Sequence, residues 1–363
     1  MDFNSADSGP ASVCSYTPPE ISRKVIDPDG DLSLMVGETK CVYRSRSDVR
    51  NDEDPDHEHE LPVIYVVCSR ALSRASPVWK KLLYGGFAES KPSCALSAED
   101  WVVELPDDDP KAVETILNII HSRFDSLPRT TNLTSLEDLY QLTVLTDKYD
   151  LTALLRPWAT SWINSARDKC DSWDRSDTKL VTSDLERLSW IAWELGDPIL
   201  FGTASRALAQ SCSVDAGGDL QNNTENEIVP LFNTTIEPPG LYDALKAARL
   251  RFIDTMLAIY YNALAAFTQS GMNYDLARVC EGAIQHHKRK ACDAATLGTM
   301  ILSLASSGYW PLPVTSNIRT DVTKLAVDLA DIEILSPVHP HYFTSSSSVK
   351  ARMAKQAAKL GID

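Results

Sequence analysis

A proline interrupts a helical pattern in the N-terminal half of the chain and determines how that segment folds. Between Ala71 and Leu83 the apolar residues recur at intervals of three and four, which is typical of a helix with one buried face. Pro77 cannot lie inside a single helix, because it lacks an amide hydrogen and clashes with the preceding turn. It suits the first position of a helix that follows a capping serine. The sequence therefore predicts two short helices that meet at Ser76 and Pro77.

The residues at either side of the helix pair predict where it begins and ends. Ser69 is expected to cap the first helix, and Gly85 and Gly86 are expected to end the second. The chain then continues with Phe87-Ala88-Glu89. The helix pair alone gives no role to Phe87 or Glu89.

Four segments have the composition of short β-strands. The first is residues 29–37, where leucine and valine side chains alternate on one face, and further runs follow at 39–43, 63–68 and 101–105. Two or three of the first three runs are expected to pair as a hairpin-like edge of a sheet. We expect ordered structure to begin at Val25.

Two segments of the N-terminal half are predicted to be disordered. Residues 1–24 are rich in serine, proline and aspartate and hold few large apolar side chains, so they are expected to form a disordered tail. Residues 44–62 carry six carboxylates between Asp52 and Glu60, and charge of one sign favours a solvated loop.

The remaining predicted elements are mostly helices. Asp109 and Ser135 are expected to cap two helices, and a further helix at 153–166 closes this half of the chain. Their expected buried residues are Val113, Ile116, Leu117, Ile120, Leu139, Leu142, Val144, Leu145 and Tyr149. From about residue 178 the pattern is almost wholly helical, with a polar loop at 211–227. The helices predicted in that part are 185–195, 199–210, 241–267, 274–285, 292–306 and 321–331.

Composition excludes several classes of function. The chain has 363 residues, enough for about two domains, and a net charge of −15. This charge argues against nucleic acid and against an anionic membrane surface as partners. Eight cysteines are scattered without a C-x-x-C pair, and neither a signal-peptide pattern nor an apolar run of membrane-spanning length is present. We expect an intracellular protein, cytoplasmic or nuclear, with reduced thiols.

Candidate catalytic and metal-binding residues are few. Cys68 could be a reactive thiolate at a helix start, although it ends an apolar run. No phosphate-binding, dinucleotide, hydrolase or zincin motif occurs, so no cofactor or metal is expected. One alternative stays open, which is an enzyme or metal-binding protein with its site in the helical C-terminal half. Ten further residues of the whole chain are considered for catalysis or metal binding, which are Cys280, His286, His287, Cys292, His57, His59, His339, His341, Asp107 and Asp108.

The N-terminal half resembles a BTB/POZ domain of the kind found in fungal proteins. The residues that carry the resemblance are Asp31–Gly37, Val66–Trp79, Gly86–Ser90, Val103–Asp109 and Leu142–Leu151. These motifs occur in order, and the resemblance covers about residues 25–165. It implies an α+β fold, with a small sheet flanked by paired helices, followed here by a mostly α-helical region at 178–360.

The resemblance implies a non-enzymatic adaptor or scaffold that forms homodimers or docks to other protein chains. In family members that bind the cullin scaffolds of ubiquitin ligases, a hydrophobic-x-Glu motif follows the second of the paired helices. The matching residues in this sequence are Phe87 and Glu89. Partner binding by Phe87 competes with a second interpretation, in which the ring packs on its own domain, since buried aromatic side chains mostly serve their own core.

Overall fold

The computed structural model describes residues 21–37, 62–94, 97–127, 135–173, 182–223, 228–272, 286–334 and Lys355. The fold is mixed α+β. The chain divides into two compact units, which are residues 1–132 with 144–155 and residues 133–143 with 156–363. The first unit thus ends at Leu155. The sequence predicts that the first domain ends at about residue 165.

The first unit contains a four-stranded sheet of order β1-β3-β2-β4. Its strands are β1 Ser22–Val25, β2 Leu32–Val36, β3 Val63–Val67 and β4 Val102–Leu105. β2 and β3 pair antiparallel, as expected, while β1 lies parallel to β3 and β4 parallel to β2. Leu32, Leu34 and Val36 are fully buried, because β2 lies inside the sheet and their alternation directs them to one face.

Strand β1 corrects the predicted start of ordered structure. The tail prediction for residues 1–24 is wrong for Ser22, Arg23 and Lys24, which form a strand with Val25. All four residues of β1 are exposed, so no apolar alternation marks the strand, and its pairing with β3 is what orders it. The predicted strand at 39–43 and residues 44–61 of the predicted acidic loop lie outside the described residues.

Three α-helices lie wholly within the described part of the first unit, and the second and third of them begin at the predicted proline positions. The three helices are α1 Ser69–Ala75, α2 Pro77–Tyr84 and α3 Pro110–Ile120. The hydroxyl of Ser76 accepts a hydrogen bond from the Trp79 amide at 3.0 Å, which confirms the cap of α2. Asp109 caps α3 through a 2.7 Å hydrogen bond from the Ala112 amide. Each prediction depends on neighbouring residues alone, and each is confirmed.

The predicted cap at Ser69 is wrong. Cys68 occupies the capping position of α1 without a side-chain capping bond, and Ser69 is the first helical residue. The Asp31 carboxylate takes over the capping role, because it accepts hydrogen bonds from the amide and the hydroxyl of Ser69 at 2.8 and 2.9 Å. Lys91 also donates to Asp31, at 2.8 Å. Partial burial opposes ionisation, but the hydrogen bonds from Lys91 and Ser69 prevail and lower the pKa of Asp31.

Helix α4, Leu136–Lys148, begins at the predicted Ser135 cap and crosses the division between the two units. Its last residues, with Tyr149, complete the core of the first unit. The ring of Tyr149 stacks on that of Trp79, with centroids 4.6 Å apart. Asp108 accepts hydrogen bonds from the Tyr149 hydroxyl and the Lys148 ammonium, both at 2.6 Å. Burial, together with the adjacent Asp108 carboxylate, raises the pKa of Tyr149.

The second unit combines helices with a small sheet. Its helices are α5 Arg156–Trp173, α6 Thr182–Glu194, α7 Pro198–Ser211, α8 Leu241–Met272, α9 His286–Ser306 and α10 Val322–Ala330. The sheet contains β5 Ser213–Val214, β6 Leu220–Asn223 and β7 Ile228–Pro230, all antiparallel. These strands lie in and beside the segment predicted as a polar loop, so the prediction for 211–227 is wrong in part. The predicted helix at 274–285 lies outside the described residues.

The core of the second unit joins α8, α9 and α10. Met256 and Tyr260 of α8, Met300 of α9 and Leu325 of α10 belong to one buried cluster. Arg249 of α8 is also buried, at 2% exposure, and donates hydrogen bonds to the carbonyls of Cys212, Ile318 and Thr320. Among the described helices, α8 included, none is both long and apolar enough to cross a membrane.

Candidate protein-interaction site

Two glycines end α2 and begin the loop that contains Phe87 and Glu89. Gly85 ends the helix, and its amide donates to the Lys81 carbonyl at 2.8 Å. A Cβ atom at residue 85 would lie 2.2 Å from the Lys81 oxygen, so only glycine fits there. Gly86 has a φ of +84°, which favours glycine. The predicted stop of α2 is confirmed.

Ser90 holds this loop in one conformation, a role that the sequence analysis missed. Its hydroxyl accepts hydrogen bonds from the amides of Gly86 and Phe87 at 3.0 and 2.9 Å and donates to the Leu82 carbonyl at 2.9 Å. The available signal was a serine three residues after Phe87, because short hydroxyl side chains often bond the backbone of adjacent turns. We call residues 85–90 the Phe87 loop.

Phe87 is largely outside the core of its unit. Its side chain is 52% exposed, and one ring carbon lies 3.2 Å from the position that a Cβ atom of Gly85 would occupy. The ring therefore rests beside the loop backbone instead of filling the core. This geometry leaves an aromatic surface open to a second molecule, on a loop whose backbone is already ordered.

Glu89 is attached to the buried part of the unit through its backbone. The carbonyl of Glu89 accepts a 2.9 Å hydrogen bond from the indole nitrogen of Trp101, and Trp101 is 2% exposed. The Tyr84 ring contacts that of Trp101 edge-on, with centroids 6.1 Å apart. The Glu89 residue itself is half-buried. Phe87 and Glu89 thus lie on one loop that is anchored at both of its ends.

Replacing Ser90 by alanine is expected to loosen the Phe87 loop without unfolding the protein. The change removes three hydrogen bonds at a half-buried position, which corresponds to about 1–2 kcal/mol of stability. Hydrogen exchange followed by mass spectrometry should show exchange of the Gly86 and Phe87 amides accelerated about tenfold. Ser73→Ala is the matched control, because the Ser73 hydroxyl only donates locally to the Arg70 carbonyl. Unchanged exchange in Ser90→Ala would contradict the role given to Ser90.

The described catalytic candidates from the sequence do not converge on a reactive site. The Cys68 amide donates to Nε2 of His121 at 3.1 Å, and Nδ1 of His121 is 2.9 Å from the Leu117 carbonyl, which leaves the imidazole in a structural role. Asp108 is engaged by Tyr149 and Lys148. No group of three or more metal-binding side chains occurs in the ranges that the structure describes.

The alternative site in the C-terminal half is only partly within the described residues. Cys292 is buried in α9. His286 and His287 begin that helix, but their side chains are outside the described part, as are Cys280, His57, His59, His339 and His341. Cys212 is a second buried thiol, and burial raises its pKa to about 12, so it is protonated at neutral pH.

A buried carboxylate in the second unit was also missed from sequence. Glu186 of α6 is 2% exposed and accepts hydrogen bonds from the Asn222 amide and the Thr235 hydroxyl. Burial raises the pKa of Glu186 despite these hydrogen bonds. These hydrogen bonds join α6 to the small sheet and to the segment before α8. The side chain of Glu186 is enclosed, so it has no access to a substrate.

No family model matches the sequence, and no curated protein matches it.

Proposed function

We propose that the chain is a non-enzymatic adaptor or scaffold of the BTB/POZ type, which binds other protein chains through its first unit. Support for the fold comes from the order of elements, which runs strand, strand, helix pair, strand and helix over residues 32–120. This is the order of elements that the sequence predicts for the segment that resembles a BTB/POZ domain. The small sheet lies together with the pair α1 and α2 in one compact unit, as a domain of that type requires.

The observation that carries the proposed function is the exposure of Phe87 on an ordered loop. Aromatic residues are enriched where partner proteins contribute most of their binding energy, and ordering the contact loop in advance lowers the entropic cost of binding. Burial of the exposed half of the ring on a partner would contribute about 1–2 kcal/mol. Glu89, two residues away, offers a carboxylate to a basic or amide group of the same partner. A cullin scaffold is the partner of this motif in those family members that bind cullins, and it is the first candidate partner here.

The experiment is affinity purification from native cells with mass spectrometry, comparing the parent chain with Phe87→Ala/Glu89→Ala. We expect the variant to lose a cullin scaffold or another specific partner, because it loses both the aromatic and the carboxylate contacts. Its free energy of unfolding should change by less than about 1 kcal/mol, because Phe87 is exposed. Retention of every partner by the variant would contradict the role of these two residues.

Val102→Ala is a matched control for the pull-down, because Val102 is also about half exposed, on strand β4 instead of the Phe87 loop.

Self-association forms a second part of the proposal, and a monomer by light scattering at micromolar concentration would remove it. Metal analysis addresses the alternative of a metal-binding or enzymatic C-terminal half, since stoichiometric zinc in the purified protein would favour that alternative.

A further inference from the structure

An open groove of about 610 Å³ lies in the first unit, and it includes neither Phe87 nor Glu89. Three segments line it, which are the turn Val25–Pro28 after β1, one side of α1 with Cys68, Ala71 and Arg74, and the end of α3 at residues 120–123. We call it the α1–α3 groove. Its volume falls in the range of sites that accept ligands of several hundred daltons, or about three residues of a peptide.

Hydrogen bonds between the walls hold the groove open. Arg123 donates through Nη1 to the carbonyls of Val25 and Ile26 at 3.0 and 3.1 Å, which joins the end of α3 to the turn after β1. The bond between the Cys68 amide and His121 joins α1 to α3. A ligand would therefore enter a preformed site, which lowers the entropic cost of binding.

The charge of the groove is opposite to that of the chain. Arg74 is exposed on α1 and forms no ion pair with any residue that the structure describes, whereas the whole chain carries a net charge of −15. Arg123 adds a second positive charge. The acidic residue of the lining is Asp27, whose carboxylate accepts a 3.0 Å hydrogen bond from the Asp29 amide of its own turn. Two arginines and one aspartate line the groove, which gives it a net positive charge, and Arg123 is the arginine that is bonded to the groove walls.

Apolar side chains make up much of the remaining surface. Val25 is 53% exposed, and Ile120, Pro28 and Ala71 also line the groove. The guanidinium of Arg74 complements a carboxylate, because arginine forms bidentate hydrogen bonds with carboxylates. The apolar wall beside it complements an apolar group that lies next to that carboxylate in the ligand.

We propose that the α1–α3 groove docks a short acidic segment of a partner protein, in which an apolar side chain lies next to a glutamate or aspartate. The carboxylate pairs with Arg74, and the apolar side chain packs between Val25 and Ile120. A groove of this size buries less surface than a stable protein–protein interface, so we expect the segment to bind weakly and transiently. The proposal is independent of the role of the Phe87 loop, because the two surfaces share no residue.

The test uses two matched sets of synthetic octapeptides, with leucine or phenylalanine next to glutamate in one set and next to lysine in the other. Binding of fluorescently labelled peptides to the full chain is measured by anisotropy. We expect acidic peptides to bind and lysine peptides not to bind. Arg74→Glu should weaken binding at least about tenfold, and Arg74→Lys should weaken it less, because lysine keeps the charge but loses the bidentate pairing. Lys81→Glu is the matched control, since it makes the same charge change at an exposed position of α2 outside the groove.

Cys68 provides a second readout, because it lines the groove, while the exposed Cys94 lies outside it. A bound acidic peptide should slow alkylation of Cys68 by iodoacetamide and leave alkylation of Cys94 unchanged. The proposal is overturned if lysine peptides bind equally well, or if Lys81→Glu weakens binding as much as Arg74→Glu. It is also overturned if phosphatidylserine vesicles bind through Arg74 while acidic peptides do not, because the groove would then face a membrane surface.

Discussion

Replacing Trp79 by alanine is expected to lower the free energy of unfolding of the first unit by about 3–5 kcal/mol, which is the range for a buried aromatic side chain. Trp79 is 3% exposed, and its ring stacks on Tyr149 at 4.6 Å. The neighbouring Ser76 hydroxyl donates to the Tyr149 carbonyl at 2.6 Å, so the cavity would open where α2 meets the chain after α4. Loss of this contact should also loosen the Phe87 loop, which directly follows α2.

Urea denaturation monitored by circular dichroism measures this effect, and hydrogen exchange locates it within the chain. Peptides that cover α2 and the residues around Tyr149 should lose protection in Trp79→Ala. Trp193→Ala is the matched control, because Trp193 is 46% exposed, and the same substitution there should cost less than about 1 kcal/mol. Equal losses in the two variants would show that the stacked pair does not belong to the stable core.

Replacing Arg249 by methionine is expected to destabilise the second unit by about 3–5 kcal/mol. Methionine keeps most of the volume but removes the donors that satisfy the carbonyls of Cys212, Ile318 and Thr320. Each buried carbonyl left without a donor costs about 1–3 kcal/mol, partly offset because a buried charge is also removed. Burial lowers the pKa of Arg249, but an arginine remains charged at neutral pH.

The effect is measured as the urea concentration at the midpoint of unfolding of the second unit. Amide hydrogen exchange of the segment around residues 318–320 shows where the protection is lost. Arg251→Met provides the control, since Arg251 is exposed on the same helix and donates only to the Ala247 carbonyl of its own helix. It should shift stability by less than about 0.5 kcal/mol. Arg249→Lys separates charge from geometry, because lysine keeps the charge but cannot reach three carbonyls with one ammonium. If Arg249→Met is as stable as Arg251→Met, the three carbonyls are satisfied in another way.

Several predictions that depended on adjacent residues agree with the structure. The junction at Ser76 and Pro77 and the cap at Asp109 need only a short polar side chain followed by proline, so the signal lies entirely within a few residues. The stop at Gly85 and Gly86 is local in the same sense. The end of α2 positions the Phe87 loop, whereas the choice of Phe87 and Glu89 as candidate site residues rests on the resemblance to BTB/POZ domains.

Predictions that depended on distant partners were wrong or absent. The Ser69 cap failed because the helix begins one residue earlier, after Cys68, and the Ser69 hydroxyl donates to Asp31, 38 residues earlier. Strand β1 was missed because its exposed residues carry no alternation, and the strands β5 to β7 are two to four residues long within a polar segment. The position of Arg74 beside the turn after β1 and the end of α3 likewise depends on where distant segments lie, which a single sequence does not show.

The division of the chain within α4 has a consequence for folding during synthesis. Residues 144–155 belong to the first unit, although residues 133–143 before them belong to the second. Trp79 therefore leaves the ribosome before its stacking partner Tyr149 exists, and synthesis of residues 80–148 takes roughly 4 to 14 seconds at about 5–20 residues per second. During that interval the apolar face of α2 is uncovered on a nascent chain. We expect a chaperone that binds aromatic segments to have access to α2 in this interval, before Tyr149 can cover Trp79.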